Sequence, residues 1–312
     1  MAGRVSSIIF HILHDALILA SGSFWEFHRV IPFLTNPPED QPAFHVVVPS
    51  LPGFGFSSAP PKKQWTMADN ARILDHLMTG VLGYSSYMAS GGDWGSLIVV
   101  NLGTDRYPAC KLLELTTCNG QPTFWAMLTL PFFLLPTSWR NWLYSKIYTE
   151  DELHDIARSK SMAMNGMGYF LEQATRPCTI GYAINDSPIG ILAWIGEKYH
   201  DLMDPEHVPG ATEFILTTVS LYFLTGSFTT STLPYHENSF KTIRMTKPFG
   251  GSRFPYDVFN FPMGWMKAHH RKMVFSRVHH RGGHFPGYEM PEELATDLRD
   301  LVSSQSGLFS KD

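Results

Sequence analysis

Cysteine is scarce in this chain, with Cys110, Cys118 and Cys178 the only three in 312 residues. That number and spacing exclude a disulfide framework and a zinc knuckle, and they suit a reducing, cytoplasmic setting. Charge is sparse too: 17% of residues are charged, 24 Lys+Arg against 28 Asp+Glu, for a net charge of -4 without long runs of one sign. A nucleic-acid partner needs a basic surface to displace counterions, so none is expected. No stretch holds the ~20 uninterrupted apolar residues of a membrane span. Phe124 to Trp139 comes nearest, but Pro131 and Pro136 break it, which suits a lid or a surface groove. Behind Arg4, the stretch Val5 to Ala20 is interrupted by His11, His14 and Asp15, unlike a cleaved leader. Membrane association is therefore not indicated by this segment. Internal repeats and low-complexity tracts are absent as well.

What the chain has in quantity is apolar surface, 44% of its residues, enough for a sizeable buried core. At ~150 residues per domain, its length allows two domains, or one large core carrying an inserted lid. Short aliphatic runs at Ala16 to Leu19, Phe44 to Val48, Ser86 to Ala89, Leu112 to Leu115 and Met273 to Val278 alternate with helix-length segments. That alternation predicts an α/β fold with a mostly parallel sheet covered by helices. Between Thr66 and Leu82, Ala71, Leu74, Leu77, Met78 and Val81 form a helical stripe. From Gln121 to Asn238 the strand signal disappears, and Ile189 to Tyr199 and Thr212 to Leu224 look helical. We therefore expect a core over residues 1–120 and 239–312, split by a helical lid over 121–238. A closing helix is expected from Pro291 to about Ser303.

Gly91-Gly92-Asp93-Trp94-Gly95 follows one of the short strands and precedes the helical run Ser96 to Leu102. Small residues on either side of a central side chain permit a sharp strand-to-helix bend that leaves that side chain exposed. Asp93 at the centre can attack an electrophilic carbon and form an ester. Taken alone, the same Asp reads equally well as a helix cap. Near the other end, His284 lies in the glycine-rich Arg281-Gly282-Gly283-His284-Phe285-Pro286, and Asp257 in Phe254-Pro255-Tyr256-Asp257 follows the preceding strand. A histidine base needs a carboxylate to hold its tautomer. The chain order of nucleophile, acid and histidine at three strand ends favours catalysis over capping.

These motifs carry a resemblance. With Gly22-Ser23-Phe24-Trp25-Glu26-Phe27, Val48-Pro49-Ser50-Leu51-Pro52-Gly53-Phe54-Gly55-Phe56-Ser57, Asn185-Asp186-Ser187-Pro188 and Gly282-Gly283-His284-Phe285, the chain resembles epoxide hydrolases of the α/β-hydrolase superfamily. The resemblance runs from about Ser21 to Val302, within the microsomal, fungal and juvenile-hormone branch. It implies an α/β-hydrolase core with an inserted helical lid, Asp93 as nucleophile, His284 as base and Asp257 as orienting acid. Two lid tyrosines that face the nucleophile in this family match Tyr169, ahead of Gln173-Ala174-Thr175-Arg176-Pro177, and Tyr235, in Tyr235-His236-Glu237-Asn238. Opening an epoxide develops negative charge on its oxygen, which such donors stabilise. The implied reactants are a small apolar epoxide and water. No cofactor and no metal are implied; a homodimer, and a location peripheral to the endoplasmic reticulum, stay open.

The resemblance also implies an oxyanion hole built from the backbone N–H of Trp94 and a second N–H that falls on Ala20. Here the sequence departs from the family, because Ile18-Leu19-Ala20-Ser21 stands where His-Gly-Trp-Pro is usual. Loss of one such donor costs ~10²–10³ in rate. Relatives also carry about a hundred residues before this loop, including the first strands of the sheet, so an uncovered sheet edge is expected here. The abrupt change from Met1 to Ala20 into family motifs suggests that this start is not the family's. Two other readings stay open: a haloalkane dehalogenase using the same Asp, with Trp94 as halide donor, and a non-catalytic remnant that binds apolar ligands or does not fold alone.

Other features carry less. Adjacent His269-His270 and His279-His280 point to opposite sides of a strand, and no acid or cysteine near them completes a metal site, so surface histidines are expected. The run Met162 to Met167 reads as adaptable packing under the lid. Gly53 and Gly55 lack the third glycine of a dinucleotide site.

Overall fold

The computed structural model describes residues 7–12, 23–38, 41–117, 137–206, 209–238, 243–262, 264–265, 267 and 271–309. Among the described residues, six strands form one parallel sheet: β1 (Ser7–Ile12), β2 (Phe44–Val47), β3 (Tyr87–Gly91), β4 (Cys110–Leu115), β5 (Phe249–Arg253) and β6 (Met273–Val278). Their spatial order is β2-β1-β3-β4-β5-β6. Among the described residues, β2 and β6 are each paired on one side only. The N-terminal strand is a correction to the sequence reading. It spans Ser7–Ile12, a stretch to which the sequence reading assigned no strand, whereas the expected run Ala16 to Leu19 lies outside the described residues. Pairing on both sides, Ile9 with Val46 and with Met88, decides its state.

The sheet is covered on both faces. Helices α1 (Val30–Thr35), α2 (Met67–His76) and α3 (Asp93–Leu102) follow β1, β2 and β3. Alternation along the strands sorts their side chains between two clusters. Tyr87, Ala89, Leu113 and Leu115 join Leu74, Ile98 and Leu102 from α2 and α3. Met88 and Leu112 join Val30, Leu34, Leu294, Leu298 and Leu301 from α1 and the last long helix. The stripe predicted from Thr66 begins where a capping box forms, Thr66 Oγ1 accepting from Asp69 N while the Asp69 carboxylate accepts from Thr66 N.

β5 had no strand-like composition, being Phe249-Gly250-Gly251-Ser252-Arg253, yet all five residues are buried. A Cβ at Gly250 would come 2.7 Å from Leu301 Cδ2, so close helix packing accounts for a glycine there.

Between β4 and β5 the described chain is helical: α4 (Thr137–Ile147), α5 (Glu150–Ser161), α6 (Gly168–Thr175), α7 (Pro177–Ile184), α8 (Pro188–Leu202), α9 (Ala211–Thr225), α10 (Phe228–Ser231) and α11 (Leu233–Glu237). After β6 come α12 (Pro286–Glu289) and α13 (Pro291–Ser304). The methionine run only partly meets its expectation: Met162 packs against the core, whereas Met164 is 72% exposed. No helix among the described residues is long and apolar enough to cross a membrane.

Candidate active site

The turn from β3 into α3 places Asp93. Its φ of 43° lies in the left-handed region, rare for a residue with a Cβ. A Cβ at Gly91 would come 3.0 Å from the Gly95 carbonyl, so the bend closes only with small residues around it. Gly92 is the N-cap and Asp93 the first helical residue, with no side-chain cap hydrogen bond. The N-cap position is therefore held by Gly92 and not by Asp93. Its carboxylate sits at the positive end of α3, where an anion is favoured, and its side chain is 11% exposed.

His284 Nε2 lies 3.2 Å from Asp93 Oδ2, and His284 Nδ1 hydrogen-bonds Asp257 Oδ1 on its other side. Asp257 is held in turn. Its Oδ1 accepts from Val258 N at 2.7 Å, and its Oδ2 accepts from Thr117 Oγ1 at 3.0 Å. From α5, Arg158 donates to the carbonyls of Tyr256 at 2.7 Å and Asp257 at 3.1 Å. Burial pulls the imidazole of His284 towards neutrality, but the Asp257 and Asp93 carboxylates outweigh it and hold the ring well above the ordinary histidine range.

Tyr169 on α6 and Tyr235 on α11 are both buried and meet edge to face, with ring centres 6.3 Å apart. Tyr235 also meets Trp94, the residue after Asp93, at 5.1 Å. Five residues spread over 192 positions, Asp93 to His284, are thus gathered into one buried neighbourhood by the β3, β5 and β6 strand ends and two helices. The N–H of Trp94 belongs to the first turn of α3, where the N–H groups have no intrahelical partner. Ala20 lies outside the described residues.

The chain can now be set beside known proteins. A profile of the α/β-hydrolase fold matches residues 12–151. The chain is 35% identical over 302 residues to epoxide hydrolase 1 of Sus scrofa, covering 90% of this chain and 65% of that protein. The structure of Aspergillus niger epoxide hydrolase superposes with a TM-score of 0.79 at 35% identity, over 96% of this chain and 73% of that one. The chain belongs to the epoxide hydrolase family. Juvenile hormone epoxide hydrolase from Bombyx mori superposes with a TM-score of 0.82 at 26% identity, over 99% of this chain and 75% of that one. Against the first curated relatives, the chain spans 61% and 65% of their length.

Within this epoxide-hydrolase framework, several neighbours of the site escaped the sequence reading. Thr117 lies 140 positions from the carboxylate it touches. Lys198 on α8 is buried, with its ammonium 4.7 Å from the centre of the Tyr169 ring. Neither carries a local signal. His279 corrects an expectation: instead of a surface histidine it is stacked on Phe254 and bonded through Nε2 to the buried Asp297 at 2.7 Å. His280 is exposed, and His269 and His270 lie outside the described residues. A groove of about 1290 Å³, bounded by Lys62, Met67, Leu97 and Arg176, is lined by none of the five candidate residues.

Proposed function

We propose that this chain hydrolyses epoxides to vicinal diols through an ester on Asp93. The observation that carries this reading is the Asp93 carboxylate set 3.2 Å from His284 Nε2, with the buried Tyr169 and Tyr235 pair packed beside Trp94. A carboxylate oxygen of Asp93 attacks one ring carbon, the carbon–oxygen bond breaks, and the tyrosine hydroxyls stabilise the developing alkoxide. That oxygen ends as a hydroxyl, which requires one proton. Esterification also removes one of the two carboxylates that hold His284 protonated. The step that needs a proton therefore makes one available, and it leaves a neutral imidazole for the next step.

In that second step, His284 Nε2 takes a proton from water, whose oxygen attacks the ester carbonyl. Asp257 fixes the tautomer and stabilises the imidazolium. The Trp94 N–H, with the one assigned to Ala20, stabilises the tetrahedral oxyanion. Collapse expels the diol's alkoxide, which takes the imidazolium proton, and the carboxylic acid left on Asp93 passes its proton to His284 Nε2, restoring the carboxylate and the protonated ring. The reading calls on water and a small apolar epoxide, with residues 121–238 as the cap over a core of 1–120 and 239–312. The location proposed with it is the cytoplasm, with peripheral association with the endoplasmic reticulum compatible with it. The test is styrene oxide turnover with intact-mass analysis beside Asp93→Ala. Diol from the parent and none from the variant is expected; neither diol nor a mass adduct from folded parent would reject the reading.

A further inference from the structure

Two buried carboxylates take no part in those steps, yet both grip the loop that carries His284. Asp204 follows the end of α8, and Glu289 is the last residue of α12; both are at least nine-tenths buried. Asp204 Oδ2 accepts from Gly282 N at 2.9 Å. Glu289 Oε1 accepts from Phe285 N at 2.9 Å, and its Oε2 accepts from Asp204 N at 2.7 Å. Between them, His284 N donates to the carbonyl of Leu202, the last residue of α8, at 2.9 Å. The N–H groups of residues 282, 284 and 285 are thus all spoken for by this pair and by the end of one cap helix.

The approach is close enough to dictate sequence. A Cβ at Gly283 would lie 2.2 Å from the Leu202 carbonyl oxygen and 3.0 Å from Glu289 Oε1. Gly282 has a φ of +85°. The two glycines before His284 are therefore explained by the grip on the loop, since one admits the neighbouring backbone and the other allows the turn. A carboxylate suits this place because each of its oxygens only accepts, and each meets a backbone N–H.

We propose that Asp204 and Glu289 are positioning residues that clamp the base loop to the end of α8, so that the placement of His284 depends on the docked cap. The inference rests on the assignment of His284 as the base for ester hydrolysis. Alkylation of Asp93 asks of His284 only a proton once the ring has opened, whereas hydrolysis needs it as the base that activates water, so the clamp acts chiefly on the second step. Glu289→Gln keeps the shape but turns an NH₂ towards one of the two backbone donors, which breaks one side of the grip.

The experiment follows ester formation and ester hydrolysis separately, by rapid quench and intact mass with styrene oxide, in the parent, Glu289→Gln and Asp204→Asn. It is paired with the low-field proton resonance of the His284 Nδ1–H shared with Asp257, identified by its loss in Asp257→Asn. Expected are hydrolysis slowed by ~10–100-fold, the scale of a misplaced catalytic group, and alkylation within about threefold of the parent, together with a displaced resonance. Hydrolysis unchanged, or both steps falling in parallel, would overturn the clamp. A parent that forms no ester would reject the epoxide reading instead. The resonance still decides the clamp in that case: unmoved in both variants, it refutes the proposal.

Discussion

Replacing Asp257 with Asn isolates the charge of the acid from its shape. The amide oxygen can stand where Oδ1 accepts from His284 and Val258, and the NH₂ can donate to Thr117 Oγ1, which is able to accept as well as donate. Geometry is therefore retained while one unit of charge next to the imidazole is lost. At ~3 Å and an effective dielectric of ~20, that charge is worth about 5 kcal/mol to an imidazolium, an upper bound near four decades in rate. The same substitution in chymotrypsin's triad costs ~10⁴ in kcat. We expect ester hydrolysis to slow by ~10²–10⁴ while alkylation changes little, so that the ester accumulates and is seen as a mass increase equal to the epoxide. The ring should also leave its elevated range and deprotonate at lower pH, because one of the two carboxylates raising it has gone. Single-turnover quench with intact mass, repeated across pH, reads both effects. Hydrolysis within threefold of the parent would refute the role given to Asp257, as would alkylation lost to the same degree.

Tyr169→Phe and Tyr235→Phe should each slow alkylation by ~10²–10³; ester formed by prolonged incubation should still hydrolyse at the parent rate, and slowing of both steps would argue for misfolding. The buried Arg253–Asp155 ion pair joins β5 to α5, and Arg253→Met would strand a buried carboxylate at a cost of ~3–5 kcal/mol; in urea unfolding, Arg253→Met with Asp155→Leu should recover most of that loss. Glu114 on β4 is fully buried with Ser90 donating to it, and burial pushes its carboxyl up to about 8. Because its folded value exceeds the unfolded one, the folded state holds the extra proton between about pH 4.5 and 8, so stability falls as pH rises through that window. Glu114→Gln should flatten this dependence in melting curves from pH 5 to 9, and an unchanged slope would count against it.

The framework of the fold was legible wherever local chemistry and tertiary need agree. The helix over Met67–His76 is marked by its stripe and capping box, and α13 by Pro291 with its apolar spacing. Asp93, Asp257 and His284 were legible because each stands on a turn with its own local signature, and because their order along the chain is restrictive. β5 was legible only through the turn that follows it, since Gly250 reports the approach of Leu301 rather than any propensity for a strand. β1 was not legible, since its state is decided by partners 37 and 79 positions away, in the Ile9↔Val46 and Ile9↔Met88 pairs.

By itself, then, the sequence determined the kind of chemistry, because a nucleophile's bend, a glycine-flanked histidine and an acid after a strand are local constructions. Only the tertiary structure decided which groups share a field. The elevated protonation of His284 needs two carboxylates from loops 164 residues apart in the chain, 257 − 93, and the grip on its loop needs Asp204 after α8 and Glu289 at the end of α12. Electrostatics and hydrogen bonds act through space over a few ångströms, and sequence separation carries no information about them until the chain has closed.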